Sequence, residues 1–277
     1  MSDRVLGLIA GEGRLPLMVA EGMKAAGARV CGLGLRGHFD PLLPELCDFF
    51  RQVGVFRIGG WIRTLRKHGV KEAVLAGRVS KTKMHNTLRL LRAMPDLRTA
   101  KVWYRRLRGD RRSSAVLGAV ADELLASGVT LIDVTTYIGE SVAGKGVLTR
   151  VRTTPQQEAD IATGWPVLER LVELEIGQSI AVCSNRVIAV EALEGTDAMI
   201  QRAGRLNGGG QWTLLKTPSK HHDMRCDVPT IGPKTIEQLA GAGAGCVALR
   251  RGRVIMIDKP ELITAADRAG IPIVGVG

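Results

Sequence analysis

Aromatic side chains are scarce in this chain, at 4% of 277 residues, so its cores must be assembled mainly from Val, Leu, Ile and Ala. Its five cysteines, Cys31, Cys47, Cys183, Cys226 and Cys246, are far apart and never form a C-x-x-C pair. That spacing argues against a zinc ribbon or a disulfide scaffold and fits a reducing compartment. No run approaches the roughly eighteen apolar residues of a membrane span. The start Met1-Ser2-Asp3-Arg4 leads straight into a strand-like run, without the basic start, long apolar core and cleavage site of a signal peptide. A cytoplasmic protein is therefore expected. Acid is also short: 27 Asp and Glu stand against 39 Lys and Arg, a net charge of +12. Such a surface attracts polyanions, whether nucleic acid, phosphorylated ligands or an anionic membrane face. The excess concentrates between Arg78 and Arg112, where only Asp96 and Asp110 oppose the basic groups.

What is present is a soluble globular composition, 45% apolar and 24% charged, long enough for two domains. Val5–Ala10 is an apolar run closed by Gly11-Glu12-Gly13, and Leu15 to Ala26 then shows helical spacing. Strands at Arg29–Leu35 and Ala73–Ala76 alternate with a helix at Ile62–His68, followed by a basic helical region broken at Pro95, a helix at Ala115–Ala126 and a strand at Val129–Val134. Alternation of this kind predicts a Rossmann-like parallel sheet covered by helices over residues 1–136. Residues 137–154, rich in glycine, read as a connector. Residues 155–277 read as a second α/β domain of distinct fold, beginning with a helix at Pro155–Leu174 and ending with a helix at Pro260–Ala269 and a strand at Ile271–Val274.

Three segments carry candidate chemistry. Gly11-Glu12-Gly13-Arg14-Leu15-Pro16 begins like a dinucleotide fingerprint but has Pro at the third glycine position, and Leu35 is followed by Arg36 rather than an acid. It remains a candidate phosphate cradle or a simple tight turn. Glu191, Glu194 and Asp197 span one turn and a helix start, where they either supply oxygen ligands to Mg²⁺ or Mn²⁺, or Thr196 or Asp197 caps the helix while Glu191 and Glu194 are solvated. Asp227 sits in the apolar stretch leading to Pro229-Thr230, either a carboxylate with a shifted pKa at a site or a structural partner of the turn. Lys216, Lys220, His221, His222 and Arg225 crowd the same region as a candidate anion clamp, without the context of a zinc site.

Taken in order, Leu6–Pro16 (LGLIAGEGRLP), Ala76–Ser80 (AGRVS), Ile176–Gln178 (IGQ), Ala189–Met199 (AVEALEGTDAM) and Arg225–Gly232 (RCDVPTIG) resemble the LpxI-type UDP-2,3-diacylglucosamine pyrophosphatases over nearly the whole chain. The resemblance implies hydrolysis of UDP-2,3-diacylglucosamine to UMP and 2,3-diacylglucosamine 1-phosphate in lipid A synthesis. It also implies a divalent cation, Mg²⁺ or Mn²⁺, an N-terminal nucleotide-binding domain, a distinct C-terminal domain and action in the cleft between them. Asp227 corresponds to the essential aspartate of the D-x-P-T-I-G motif. On this reading Gly11, Gly13, Gly77, Ser80, Thr196, Lys216, Arg225 and Thr230 contact substrate, and Glu191, Glu194 and Asp197 are candidate metal ligands. The chain departs from the family at Ser219–Asp223, where relatives usually read Lys-Pro-x-Gln and an acid. The expected partner is the acylated UDP-sugar, with peripheral contact at an anionic inner membrane. A homodimer is left open and nucleic acid is not expected. Two rival readings are a nucleic-acid-binding module using residues 78–112, where Trp103 and Tyr104 are the only aromatics, and an NADP-dependent oxidoreductase with Arg36 on the extra phosphate.

Overall fold

A computed structural model describes residues 4–79, 95–104, 109, 113–208, 210–220, 222–225 and 228–277. The chain divides into two compact units, Met1–Gly139 with Asp223–Asp227 and Glu140–His222 with Val228–Gly277.

The first unit is built on a parallel five-stranded sheet of order β3-β2-β1-β4-β5, from β1 (Val5–Ala10), β2 (Arg29–Leu35), β3 (Phe49–Val53), β4 (Glu72–Ala76) and β5 (Thr130–Leu131). This is the Rossmann-like α/β sheet expected from the alternation. Buried on every side, β1 and β2 read as continuous apolar runs, as parallel strands covered on both faces do. One core packs Ile9, Leu33, Trp61, Ile62, Leu65, Leu124 and Leu131 together. Helix α1 (Leu15–Ala25) carries Pro16 near its start, where a missing N–H costs nothing.

Helix α2 (Ile58–Lys67) starts four residues before the periodicity of Ile62–His68 suggests, across Gly59-Gly60. Its N-terminus is held from outside by the turn opening α3 (Leu97–Val102). Ile58 N–H donates to Thr99 Oγ1 at 3.1 Å, and the Gly59 and Gly60 N–H groups bond the Asp96 carboxylate, which also accepts from Thr99 N at 2.9 Å. These bonds take up helix-end donors that no local side chain reaches. Helix α4 (Ser113–Leu125) leads into β5.

The second unit is mixed, with a six-stranded sheet of order β6-β13-β11-β9-β7-β8. Its strands are β6 (Gly146–Val147), β7 (Ser179–Cys183), β8 (Arg186–Val190), β9 (Trp212–Lys216), β11 (Ala244–Arg250) and β13 (Ile273–Val276). β9, β11 and β13 run parallel, while β7, β8 and β6 pair antiparallel. A separate parallel pair joins β10 (Thr230–Ile231) to β12 (Ile255–Met256). Helix α5 (Pro155–Glu173), started by a Thr154–Gln157 capping box, packs Trp165, Leu168 and Val172 on Ile180, Val182 and Leu215. The opposite face, with Ala181, Leu214 and Val247, is covered by α6 (Thr196–Asn207), α7 (Pro233–Gly241) and α8 (Lys259–Ala269) through Met199, Ile200, Ile236 and Leu262. Leu214 and Leu215 therefore face opposite sides, as adjacent strand residues must.

Candidate functional site

In the first unit, β1 lies between β2 and β4, so the connections leave it in opposite directions and the strand order reverses at its C-terminal end. That is where open α/β sheets bind ligands. Two loops meet there and zip together: Glu12 N–H donates to Arg78 O at 2.8 Å, Arg78 N–H donates back to Glu12 O at 3.0 Å, and Gly11 N–H reaches Ala76 O at 2.8 Å. The pairing explains two of the glycines. A Cβ on Gly11 would stand 2.6 Å from Arg78 O, and one on Gly77 would stand 2.7 Å from the Gly11 carbonyl carbon. Gly13 has φ 103°, turning the chain into α1, whose first turn has no side-chain cap. The buried His38 ring bonds Glu12 through Nδ1 at 2.9 Å, fixing the Glu12 side chain. Ser80 lies outside the described residues, as does most of the basic stretch between Arg78 and Arg112.

In the second unit, register brings together residues far apart in sequence. Glu191 extends β8 and donates its N–H to Ser179 O at 2.9 Å, and Ser179 stands opposite Lys216 in the β7–β9 pairing. Residues directly opposite share a face, so Glu191, Ser179 and Lys216 form one polar row across three strands, on the side covered by α6. Lys216 Nζ donates to Ser179 Oγ at 3.2 Å and to Thr196 Oγ1, at the first residue of α6, at 2.7 Å. Glu191 Oε2 lies 4.0 Å from Lys216 Nζ and has no hydrogen-bond partner, although the two side chains are only 7% and 3% exposed. Ser179 was not singled out by sequence; its signal is a polar residue at the α6-facing position that Ala181 continues.

The acids at 191, 194 and 197 do not converge. Glu194 is pinned by Ala192 N–H at 3.1 Å and by Arg202 Nη2 at 2.6 Å, while Arg202 also reaches Val190 O. Its own backbone N–H and then Arg202 hold its carboxyl below the usual Glu range. Asp197 is exposed in the first turn of α6, where a negative charge favours the helix dipole. Each of the two nearer carboxylates thus faces a cation of the chain itself, and no group of three or more His, Cys, Asp or Glu among the described residues forms a metal site. As a ligand set for Mg²⁺ or Mn²⁺, these three acids do not fit.

The remaining candidates fall around the D-x-P-T-I-G segment. Arg225 directs its guanidinium to Asp223, with Nε at 2.8 Å and Nη2 at 2.6 Å, in a forked pair. Thr230 is exposed in β10, which ends at Ile231, and Gly232 then leads into Pro233 at the start of α7. Asp227 lies outside the described residues.

Comparison with known proteins decides the family. The LpxI N-terminal domain matches residues 5–141 and the LpxI C-terminal domain matches residues 144–274. The chain belongs to the LpxI family. A curated member, UDP-2,3-diacylglucosamine pyrophosphatase LpxI of Caulobacter vibrioides, is 34% identical, the match covering 99% of this chain and 98% of that protein. The two LpxI domain matches follow the same order as the two compact units, each carrying its own sheet. No helix among the described residues is long and apolar enough to cross a membrane.

Proposed function

We propose that this LpxI family member hydrolyses the diphosphate of UDP-2,3-diacylglucosamine, giving UMP and 2,3-diacylglucosamine 1-phosphate in lipid A synthesis. The observation that carries this reading is the 34% identity to the Caulobacter enzyme across essentially the full length of both chains. A match of both domains disfavours the nucleic-acid and NADP-dependent readings, which need neither the E-G-T-D nor the D-x-P-T-I-G segment.

In this proposal the zipped loops at Gly11–Gly13 and Gly77–Ser80 take the uridine nucleotide, and the second unit takes the acylated sugar. Thr196, Thr230 and Arg225 contact the substrate, and Lys216, whose buried ammonium donates to Thr196 Oγ1, supports that contact from behind. Water attacks one phosphorus in line, its oxygen forms the new P–O bond, the bridging P–O bond breaks and the proton of water leaves with the products or a base. Two negatively charged phosphoryl groups demand positive groups already in place as charge builds. Asp227 serves this step as base or as cation ligand. A requirement for Mg²⁺ or Mn²⁺ is part of the same proposal, and the cation would supply charge neutralisation at the diphosphate. The protein works in the cytoplasm, in peripheral contact with an anionic membrane that holds its acylated substrate.

The test is incubation of purified protein with UDP-2,3-diacylglucosamine and Mg²⁺, read by mass spectrometry. Release of UMP with the diacyl sugar phosphate is expected; intact substrate would overturn the assignment. Full turnover in excess EDTA would remove the cation from it.

A further inference from the structure

The buried Lys216 ammonium does something specific to Thr196. An ammonium group only donates, so in the 2.7 Å contact Thr196 Oγ1 must be the acceptor. The hydroxyl hydrogen of Thr196 must then point elsewhere. Inside a helix it would turn back to the carbonyl four residues earlier, but Thr196 is the first residue of α6 and that residue, Ala192, lies before the helix. The N-cap is Gly195, with φ 82° and no side chain to cover the first turn. Thr196 is itself half-buried, so its O–H opens toward solvent or a ligand. Around it, Glu191 is held 4.0 Å from the ammonium, outside hydrogen-bond distance, and so balances its charge without drawing the N–H away from Thr196. Glu194 is occupied by Arg202, and Asp197, exposed on the same turn, would oppose an approaching anion.

We infer that Lys216 is a positioning residue for the hydrolysis: it fixes the Thr196 hydroxyl as an outward donor to a phosphoryl oxygen of the substrate. Ser179 holds the ammonium from the other side, and Glu191 keeps the row electrically balanced. The inference rests on the pyrophosphatase reading above and adds the atom through which one contact is made.

The experiment compares wild-type protein, Thr196→Val, Thr196→Ser and the charge-balanced pair Glu191→Gln with Lys216→Met, alone and combined with Thr196→Val. kcat and KM for UDP-2,3-diacylglucosamine are measured separately, with melting temperature as a control. Thr196→Val should lose about ten- to a hundredfold in kcat/KM, the worth of a hydrogen bond to a charged group, while Thr196→Ser keeps most of the activity. In the charge-balanced background the same Thr196→Val change should cost less than about threefold, because the hydroxyl is no longer oriented. Equal losses in both backgrounds would show that Lys216 acts only on structure and would overturn the inference. So would a Thr196→Val enzyme within about twofold of wild type. A wild-type protein that leaves the substrate intact would instead strike down the pyrophosphatase reading itself, and this inference with it.

Discussion

Glu191 is the residue at which the metal-ligand and ion-pair readings part most sharply, and Glu191→Gln separates them. At 4.0 Å, two unit charges attract by about 4 kcal/mol with an effective dielectric constant of 20. Much of that offsets the desolvation of two side chains that are more than nine-tenths buried. Breaking a buried ion pair by removing one member typically costs about 3–5 kcal/mol, so Glu191→Gln should destabilise the second unit by about that much. Lys216→Met should do similar harm. The combined variant should recover most of it, giving a coupling energy of about 2 kcal/mol or more. Urea unfolding in chelator-treated buffer, followed by a probe in the second unit such as Trp212, measures these differences in the absence of any cation. A metal ligand behaves differently: without metal, neutralising Glu191 would relieve repulsion and leave stability unchanged or raised, while the Mg²⁺ concentration for half activity would climb about tenfold or more. A Glu191→Gln protein within about 0.5 kcal/mol of wild type, with a shifted Mg²⁺ dependence, would refute the ion-pair reasoning.

Three further outcomes are expected. Asp227→Ala should lose about 10²–10⁴-fold in kcat with substrate binding retained by calorimetry, and near-normal turnover would exclude this residue from the chemistry. Gly11→Ala forces a Cβ toward Arg78 O, so amide exchange of Glu12 and Arg78 should quicken about tenfold or more; unchanged protection would show that the loops do not need the glycine. Asp96→Ala should destabilise the first unit by about 1–2 kcal/mol at pH 7. Burial alone would raise the Asp96 pKa, but the N–H and O–H of Thr99 and the N–H groups of Gly60 and Gly59 outweigh it and hold the carboxyl below its usual range. The carboxylate therefore contributes in full above the ordinary Asp value of about 3.9, and the contribution fades as pH falls through the lowered one. Wild type and Asp96→Ala should converge in acid, and a gap that widened instead would count against the charged cap.

Much of the fold was legible because hydrophobic period and loop chemistry agreed. The strand–glycine–helix start at Val5–Ala25, the capped helix at Pro155 and the hairpin strands either side of Ser184-Asn185 all follow local signals, the last with both turn residues at positive φ. Elements whose cause is distant were not legible. β3, Phe49-Phe50-Arg51-Gln52-Val53, has no clean alternation and exists as an edge strand because β2 offers it a register. Gly146-Val147 lies in a glycine-rich stretch that reads as a connector, yet pairs antiparallel with Val274 and Gly275 of β13. The early start of α2 depends on Asp96 and Thr99, some forty residues downstream. The same holds at the site. Lys216 and Glu191 could be named as charged residues ending apolar strands, but only the β8-β7-β9 register, with Ser179 as the middle member, shows that they face each other.

That row also poses a question of purpose. A buried ion pair is weak evidence for stability, since apolar residues of similar size often do as well or better. The strands here offer such residues at every neighbouring position facing α6: Ala181 in β7, Ala189 in β8 and Leu214 in β9. Continuing that pattern through positions 179, 191 and 216 would have extended the core by one more layer. Instead the apolar rows stop together, and three polar side chains occupy the layer where α6 begins. Stability does not account for that choice, whereas holding one hydroxyl in one orientation beside Gly195 does. A site built this way anchors its polar row on the ends of three hydrogen-bonded strands, so the ammonium that holds the Thr196 hydroxyl is placed by the sheet rather than by the turn that carries Glu194 and Thr196.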